Sequence, residues 1–429
     1  MENDSICVID LKAFYASCEC VERGLDPFTT PLAVTDTTRK ESTIVLSVSP
    51  YLKSLGVPSR CRRKDLPIIN GMIYALPQME KYVKKSAQIV SIFLDFVGID
   101  DLHIYSIDES FLNLGPYLKL YKCTPKELCL RILKKIKDET GLTATCGIGP
   151  NMFLAKVADD KDAKTAKDFL AEWTYDDVPS KLWPITPLNE LWGISEGYLK
   201  KLNQLGIYKV YDLAHYNKNL LMAKFGVLGE ELYEHANGRD DAKIRDKYVP
   251  INKGLSLGQV LMRDYTKEEA RLIISEMCDE LAIRLRKTKL ECNTVGLYLR
   301  YSLTCGGEGF GKNCSLMRPS NLNSELKQTL LYLYDSNALH KPIRQIGISF
   351  TNLSKPSYEQ LSLFKNLKAD DDERNLYVAL DQIMEKYGKN SVLKGTSLTK
   401  ESTIKERHNQ IGGHRKWIVE WKNGYRFLL

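Results

Sequence analysis

The sequence lacks a long apolar run, and its cysteines are not spaced as zinc sites require. No stretch approaches the roughly 18 consecutive apolar residues of a membrane-spanning helix, and the residues after Met1 are acidic and polar where a signal peptide would be basic. The 11 cysteines form no CxxC pair, and Cys18 and Cys20 lack companion zinc ligands. We therefore expect reduced thiols in a cytoplasmic protein that is neither secreted nor membrane-bound.

A strong charge of one sign is also lacking. Lys and Arg number 61 and Asp and Glu 54, which leaves a formal net charge of +7 over 429 residues. This surplus is compatible with a polyanionic partner but does not establish one. It is concentrated in residues 244–352, which hold 16 basic and 11 acidic residues. The length exceeds that of one ordinary core and indicates two to four domains.

The first half of the chain alternates between strand and helix patterns. An apolar run at 5–10 ends in Asp10 and predicts a buried strand, which is followed by a helix. Residues 25–76 interrupt the pattern with Pro, Gly and Thr. Two strands are then expected within 103–114 and one within 143–149. Together with the helices between them, these strands give a split βαββαβ order.

Two helices in this half have clear signals. Thr124, Pro125 and Glu127 match a capping box with proline in the first turn, and they predict a helix that runs to Gly141. Apolar residues three and four positions apart predict an earlier amphipathic helix over 79–97. The residues of its predicted stripe are Met79, Val83, Ala87, Val90, Leu94 and Val97.

The second half has a helical segment and then repeats the first order. Two prolines within 183–187 predict a linker, and residues 188–245 are expected to be all-helical. Residues 254–352 show a strand, a helix with a capping box at 266–269, two strands, a helix and a strand. Beyond residue 356 we expect a polar tail with some local structure.

Three carboxylates end strands that could be neighbours. Asp10 closes the first strand, while Asp108 and Glu109 lie at the tip of a later hairpin. Carboxylates that converge at one sheet edge repel one another unless cations neutralise them. Two Mg²⁺ ions with oxygen ligands would do so and would support phosphoryl transfer. Acids at strand ends are common, however, so the spacing alone leaves an ordinary turn as the alternative.

The identities of the surrounding residues favour the metal site. Residues 9–19 (IDLKAFYASCE) and 105–110 (YSIDES) resemble the two signatures of the Y-family translesion DNA polymerases. The resemblance is closest to the UmuC-type branch, the catalytic subunit of bacterial polymerase V and its Gram-positive relatives. It covers essentially the whole chain in the correct order.

This resemblance assigns roles to individual residues. It makes Asp10, Asp108 and Glu109 the catalytic residues and the ligands of two Mg²⁺ ions, with the Leu11 carbonyl as a further metal ligand. Tyr15 falls at the steric gate, where an aromatic ring beneath the deoxyribose leaves no room for a 2′-hydroxyl. Without the motif, Tyr15 would be interpreted as a half-buried aromatic residue of a helix.

The phosphate-binding positions match the family less closely. In residues 47–56 (SVSPYLKSLG), Pro50 stands where the family often has Tyr, and Lys53 where it has Arg. Lysine keeps the charge but loses the bidentate fork. In residues 151–164 (NMFLAKVADDKDAK), the resemblance favours Lys164 as the lysine that binds the dNTP triphosphate, with Lys161 as an alternative.

Two further motifs indicate partners. Gly193, Ile194 and Gly206 lie in a pattern that resembles a helix-hairpin-helix, whose backbone N–H groups approach DNA phosphates. Residues 360–364 (QLSLF) resemble the peptide that binds the β subunit of the bacterial sliding clamp; the alternative is a strand docked on a sheet. The peptide's contact residues would be Gln360, Leu361, Leu363 and Phe364. The later IGGH at 411–414 also resembles the Gram-positive branch, without an evident mechanism.

The resemblance implies an α+β, multi-domain polymerase shaped like a right hand. The expected parts are a catalytic split βαββαβ palm (1–24 and 77–182), small fingers (25–76), a helical thumb (183–245), a DNA-binding second βαββαβ little finger (246–354) and a C-terminal tail (355–429). Its expected activity is error-prone, template-directed transfer of nucleotides from dNTPs to primer-template DNA. Accessory SOS subunits or a recombinase filament are further expected partners, and the expected location is the cytoplasm, at the nucleoid.

Two other functions fit parts of the sequence. A nucleotidyl cyclase could use the same palm topology, but it would have no use for residues 188–352 or for a clamp peptide. A non-catalytic DNA scaffold that recruits the clamp would not need Asp10, Asp108, Glu109 and Tyr15 together.

Overall fold

The computed structural model describes residues 4–246, 250, 253–356, 367–416, 419–422 and 425–428. The chain forms two compact units. Unit 1 comprises Met1–Lys247 and Arg415–Leu429, and unit 2 comprises Tyr248–His414. No helix among the described residues is long and apolar enough to cross a membrane.

The first 247 residues of unit 1 contain a central sheet, an inserted small sheet and a helical region. Their strands and helices are, in chain order, β1 (Ile6–Leu11), α1 (Phe14–Glu22), β2 (Leu32–Val34), β3 (Ser47–Val48), α2 (Pro50–Ser54), β4 (Ile73–Ala75), α3 (Met79–Leu94), β5 (Leu102–Ile104), β6 (Glu109–Asn113), α4 (Leu118–Tyr121), α5 (Pro125–Thr140), β7 (Ala144–Gly149), α6 (Met152–Ala158), β8 (Leu170–Glu172), α7 (Glu196–Asn203), α8 (Val210–Ala214), α9 (Lys218–Phe225) and α10 (Val227–Ala236).

The central sheet has the strand order β5-β6-β1-β7-β8. Its first strand lies in the middle, antiparallel to β6 on one side and to β7 on the other. Five of the six residues of β1 are buried, as a strand covered on both faces requires. The βαββαβ order predicted for this half is confirmed.

Capping boxes begin two of the helices, as the sequence predicts. At the start of α5, the Thr124 hydroxyl accepts a hydrogen bond from the Glu127 N–H at 3.3 Å, and the Glu127 carboxylate accepts one from the Thr124 N–H at 2.8 Å. Thr266 and Glu269 form the same pair of bonds in the other unit. Each box satisfies two N–H groups that have no partner within the helix.

Helix α3 is where the sequence predicts a helix, but the predicted buried stripe is wrong. Val83 and Leu94, both in that stripe, are 46% and 43% exposed. The buried face instead contains Tyr82, Ile89 and Phe93. The Tyr82 hydroxyl donates to the buried Glu19 carboxylate at 2.7 Å, and this polar contact turns the helix away from the purely apolar stripe.

The segment predicted as fingers forms a small sheet of its own, in the order β3-β2-β4. Strand β2 pairs antiparallel with β3 and parallel with β4. A separate apolar core lies beneath it and consists of Ala33, Val45, Val48, Leu52, Val57 and Leu66.

The two prolines within 183–187 do not mark a free linker, and that interpretation is corrected. Trp183 and Ile185 pack against an apolar core that includes Phe153 from α6 and Leu202 from α7. The Trp183 indole also donates to the Ala236 carbonyl at 3.1 Å. The helical region from α7 to α10 therefore shares its core with the end of the central sheet.

Unit 2 repeats the strand and helix order around a second sheet. Its elements are β9 (Gly254–Tyr265), α11 (Lys267–Lys287), β10 (Glu291–Tyr301), β11 (Gly309–Ser320), α12 (Asn323–Asn337), β12 (Ile343–Ser354), α13 (Leu367–Tyr387), α14 (Ile404–His408) and β13 (Gln410–Ile411). The sheet is antiparallel, in the order β11-β10-β12-β9. Residues of α11 and α12 form its core together with one face of the strands. The second predicted βαββαβ order is confirmed.

The chain after β12 is more structured than the polar tail expected. Arg286 of α11 holds Asp381 of α13 with two hydrogen bonds of 2.7 and 2.9 Å, and Arg407 donates to Glu280 at 3.1 Å. The predicted clamp peptide, residues 360–364, lies outside the described residues.

The last strands of the chain are β14 (His414–Arg415), β15 (Val419–Lys422) and β16 (Tyr425–Leu428). From Arg415 onwards the chain belongs to unit 1 again. Arg415 donates to the Asp36 carboxylate at 3.0 Å and to the Thr38 hydroxyl at 2.7 Å. These bonds lie within unit 1 and tie the chain end to its inserted sheet.

Candidate active site

The central sheet brings the predicted catalytic strands side by side. Asp10 in β1 is the register partner of Glu109 in β6. The Leu11 N–H donates to the Asp108 carbonyl at 3.0 Å, so the pairing continues past the strand end. Asp10, Asp108 and Glu109 therefore lie at one edge of the sheet, as their positions at strand ends predict.

Ser106 organises the turn before Glu109. Its hydroxyl donates to the Asp108 carboxylate at 2.7 Å and accepts from the N–H groups of Asp108 at 3.3 Å and Glu109 at 3.0 Å. In the sequence, this serine stands out only as part of the motif at 105–110. A serine two residues before an acid in a tight turn is the available signal for such a hydrogen-bonded turn.

Two lysines and two more acids enter the site from the end of α6. Beyond Ala158 the helix continues as a π-helical turn, Asp159–Ala163. Lys156 contacts the carboxylates of Glu109 at 2.7 Å and Asp160 at 2.9 Å. Lys164 contacts those of Asp10 and Asp160, each at 2.7 Å. Asp159, Asp160 and Lys156 are absent from the predicted site, although the spacing of four between Lys156, Asp160 and Lys164 places them on one helix face.

Asp159 is the most deeply buried of these acids, and neither of its carboxylate oxygens has a hydrogen-bond partner among the described residues. Burial and the charge of Asp10 together raise its pKa to about 7, although the charge of the nearby Lys164 opposes the rise. The nearby Thr145 hydroxyl also opposes the rise in this pKa, and it donates a hydrogen bond of 3.5 Å to the Asp10 carbonyl.

The other ionisable groups respond to the same crowding. Burial raises the pKa of Glu109, and the charges of Asp10 and Asp108 raise it further, against the ion pair with Lys156. Burial disfavours the charged form of Lys164, but the neighbouring carboxylates outweigh it and raise the pKa of this lysine. The site holds more acids than ammonium groups and therefore attracts further cations.

The residues present fit divalent metal ions. The carboxylates of Asp10, Asp159 and Asp160 each offer an oxygen, and these oxygens lie within 4.8 Å of one another. Carboxylate oxygens are the ligands that Mg²⁺ prefers. This group contains one predicted metal ligand, Asp10. The Asp108 carboxylate is bonded to Ser106 and the Glu109 carboxylate to Lys156.

Tyr15 lies at the start of α1, just after the strand that carries Asp10. Its ring stacks on Tyr82 with the centroids 4.6 Å apart. Burial raises the pKa of Tyr15, and the charge of Asp108 raises it further. The backbone reverses between β1 and α1 at Ala13, whose φ of 49° lies in the left-handed region. The stacking on Tyr82 holds the Tyr15 ring in place at the start of α1.

The structure separates the candidate phosphate lysines. Lys164 lies among the acids, whereas Lys161 pairs with Glu190 at 2.8 Å and has no ion pair with Asp10 or Asp160. This arrangement favours Lys164 of the two. Removal from water lowers the pKa of Lys53, and the charge of Lys164 adds to this shift while the charge of Asp10 opposes it.

The predicted helix-hairpin-helix presents its glycines to solvent. Gly193 and Gly206 adopt φ values of 90° and 79°, and no atom lies within 4 Å of where a Cβ would be at either position. Ile194 is buried and belongs to the core of the helical region. Glycine is therefore required by the backbone conformation at both turns, and the space above each is open to a ligand.

Comparison with known proteins agrees with this geometry. The profile of the impB/mucB/samB family matches residues 9–160, that of its C-terminal domain matches 252–363, and that of the family's HHH motif matches 175–207. The putative UV-damage repair protein UvrX of Bacillus subtilis is 35% identical over 96% of this chain and 97% of its own length. This chain belongs to the impB/mucB/samB family of Y-family DNA polymerases.

Two further relatives extend the comparison. The DNA polymerase IV 2 of Bacillus subtilis is 29% identical over 97% of this chain and all of its own length. A solved chimeric Y-family DNA polymerase matches the fold with a TM-score of 0.65, at 20% identity, over 82% of this chain and all of its own. The predicted family, fold class and type of enzyme are confirmed. Enzymes of this family act on DNA with divalent metals, and the roles of individual residues stay predictions.

Proposed function

We propose that this polymerase performs translesion synthesis, with Asp10, Asp108, Glu109 and the Leu11 carbonyl as ligands of two Mg²⁺ ions. The observation that carries the proposal is the register pair of Asp10 and Glu109 at a sheet edge. When bound, the two ions would activate the primer 3′-hydroxyl and stabilise the leaving phosphate oxygen.

The lysines of the site complete its charge. Lys156 and Lys164 neutralise part of the acidic cluster through contacts of 2.7 to 2.9 Å. We assign Lys164 to the dNTP triphosphate because it contacts Asp10 at 2.7 Å, and Lys53 because the family resemblance puts it at a phosphate-binding position. Lysine binds phosphate as a point charge, without the two-pronged geometry of arginine.

Tyr15 is the proposed steric gate. Its ring rests on Tyr82, which is 1% exposed and held by the bond to Glu19. A ring that cannot retreat excludes a 2′-hydroxyl by overlap. Because Tyr82 is buried behind it, the Tyr15 ring has no space to move aside for a 2′-hydroxyl.

Primer-template DNA is the proposed substrate of both units. In unit 1, the open turns at Gly193 and Gly206 suit phosphate contacts through the backbone. In unit 2, one face of the sheet presents Tyr298, whose register partners are Gly311 and Gly347. The ring is 44% exposed above these glycines and suits stacking with DNA groups.

Further partners rest on sequence alone. We infer that residues 360–364 bind the sliding clamp and that the enzyme works in the cytoplasm, at the nucleoid, where its substrate is. Accessory SOS subunits or a recombinase filament remain predicted partners. A cyclase is disfavoured because the matches to the HHH motif and the C-terminal domain extend far beyond the palm.

Primer extension tests the proposal. The full chain is incubated with Mg²⁺, four dNTPs and either an intact or an abasic template. We expect short products that pass the lesion. Asp108→Ala should remove them while DNA binding persists, and Asp168→Ala, at an exposed acid paired with Lys126, should not. Absence of extension by the wild type with DNA bound, even when the clamp is added, would favour the scaffold.

A further inference from the structure

Asp159 has no role in the site as proposed so far, yet its placement is costly. Its side chain is fully buried, and both carboxylate oxygens lack a hydrogen-bond partner among the described residues. A buried carboxylate without hydrogen bonds is expensive, and long ion pairs compensate it only in part. The nearest ammonium groups, those of Lys164 and Lys156, stay at 3.7 and 3.9 Å.

The π-helical turn after α6 is what aims Asp159 at the strand that carries Asp10. The Lys164 N–H bonds the Asp159 carbonyl at 3.1 Å, five residues back, so the turn holds one residue more than an α-helical turn. Single π turns within helices occur often at functional sites. In this turn, Asp159 and Asp160 both reach within 4.8 Å of an Asp10 oxygen.

We propose that Asp10, Asp159 and Asp160 form a divalent-cation site of this chain, in which Asp159 is a direct ligand. The oxygens around an octahedral Mg²⁺ lie about 3 to 4 Å apart, so a small contraction of the observed cluster suffices. The inference rests on the proposed function, because it extends the metal site of the same active centre.

Lys164 marks the position of the cation. Its ammonium group contacts Asp10 and Asp160 at 2.7 Å each and so occupies the space between the three acids. Binding of a divalent ion therefore displaces Lys164, which is then free to engage the triphosphate. The lysine and the metal ion compete for one site, so removal of the lysine should raise the affinity for the metal ion.

Binding of Mn²⁺ to the full chain, measured by electron paramagnetic resonance without DNA or dNTP, tests the site. Asp159→Asn keeps the shape and removes the charge, and we expect a loss of about tenfold in affinity for Mn²⁺. Lys164→Ala should raise the affinity severalfold, and adding Asp159→Asn should abolish that gain. Asp168→Asn is the matched control, with unchanged binding expected. If Asp159→Asn does not fold, Asp159→Ser removes the same charge from a smaller side chain.

Two outcomes separate this inference from the proposed function. Unchanged Mn²⁺ affinity in Asp159→Asn, both alone and with Lys164→Ala, would overturn the Asp159 site even if the wild type extends primers. Loss of Mn²⁺ affinity in Asp159→Asn would support the site even if no extension is found, because the binding measurement requires no catalysis.

Discussion

The two sheets share one chain order but differ in the position of their first strand. In unit 1, β1 lies at the centre of the sheet between β6 and β7; in unit 2, β9 lies at an edge and pairs only with β12. A central strand has a neighbour on each side, so Asp10 faces Glu109 across one ladder and Thr145 across the other. The two sheets contain the same kinds of elements in the same chain order, so the position of the first strand within the sheet decides which acids lie side by side.

The two sheets also differ in how much of each strand is buried. Strand β1 is buried almost throughout, whereas the exposure of β9 alternates along its length. Around the first sheet, burial and neighbouring charges raise the pKa values of Glu109 in β6 and of Asp159 in the π-helical turn after α6. In the second, one face is open and suits contacts that salt can screen. The same chain order therefore suits the proposed reaction site in one unit and the proposed DNA-binding surface in the other.

The sharpest test of this contrast compares acids in corresponding hairpins. Glu109→Ala should lower primer extension by about a thousandfold or more, because it removes a proposed metal ligand. Glu308, in the hairpin between β10 and β11, is exposed, and Glu308→Ala should leave extension unchanged. Similar losses in both variants, measured at saturating DNA, would contradict the assignment of chemistry to unit 1 alone.

A second comparison uses two tyrosines. Tyr15→Ala should raise incorporation of ribonucleotides relative to deoxyribonucleotides by about a hundredfold, because the site no longer excludes the 2′-hydroxyl. Tyr298→Ala, on the open sheet, should leave sugar selection unchanged and weaken DNA binding. Single-nucleotide kinetics with matched rNTP and dNTP pairs measure the ratio. Equal selection in Tyr15→Ala and wild type would refute the gate.

The open sheet is tested by charge reversal. Arg300 is exposed at the end of β10, and Arg300→Glu should weaken DNA binding by about tenfold at low salt and reduce the salt dependence. The rate of incorporation at saturating DNA should not change. Lys119→Glu makes the same change of charge on unit 1. If the two variants weaken binding equally, the effect comes from net charge and not from the sheet.

The smallest effect expected concerns pH and unit 2. Burial lowers the pKa of His408, and together with the charges of Lys389 and Arg407, and against that of Glu280, it brings the pKa from 6.5 to about 4. The His408 ring hydrogen-bonds the Asn390 side chain at 2.8 Å. The unfolded chain therefore binds more protons between pH 6.5 and 4. The stability that neutral His408 contributes is complete above pH 6.5 and is lost as the pH falls towards 4.

We expect the loss to be about 1 kcal/mol. Thermal unfolding of the full chain across this pH range measures it, and His408→Gln should flatten the dependence. An equally steep fall in the variant would assign the effect to other groups.

Sequence patterns predict the acids at the sheet edge because strand ends and signature residues are local features. Asp10 and Glu109 are found this way, since neighbouring strands place them together. Asp159 is not found this way, because a π turn changes which residues of the helix face the sheet and leaves no apolar pattern in the sequence. The stripe predicted for α3 fails for a similar reason: the bond between Tyr82 and Glu19 joins residues far apart in the chain.

The return of the chain end has a topological consequence. Unit 1 ends at Lys247 and resumes at Arg415, so unit 2 is an insertion within unit 1 and not an appended domain. A single break within 253–356 therefore leaves a part of unit 1 on each fragment. In such a nicked molecule, the buried Asp36 belongs to the first fragment and Arg415 to the second, so their ion pair joins the two fragments. Nicking would thus yield two pieces that each hold a part of unit 1, whereas deletion of residues 415–429 would leave unit 2 attached at one end only.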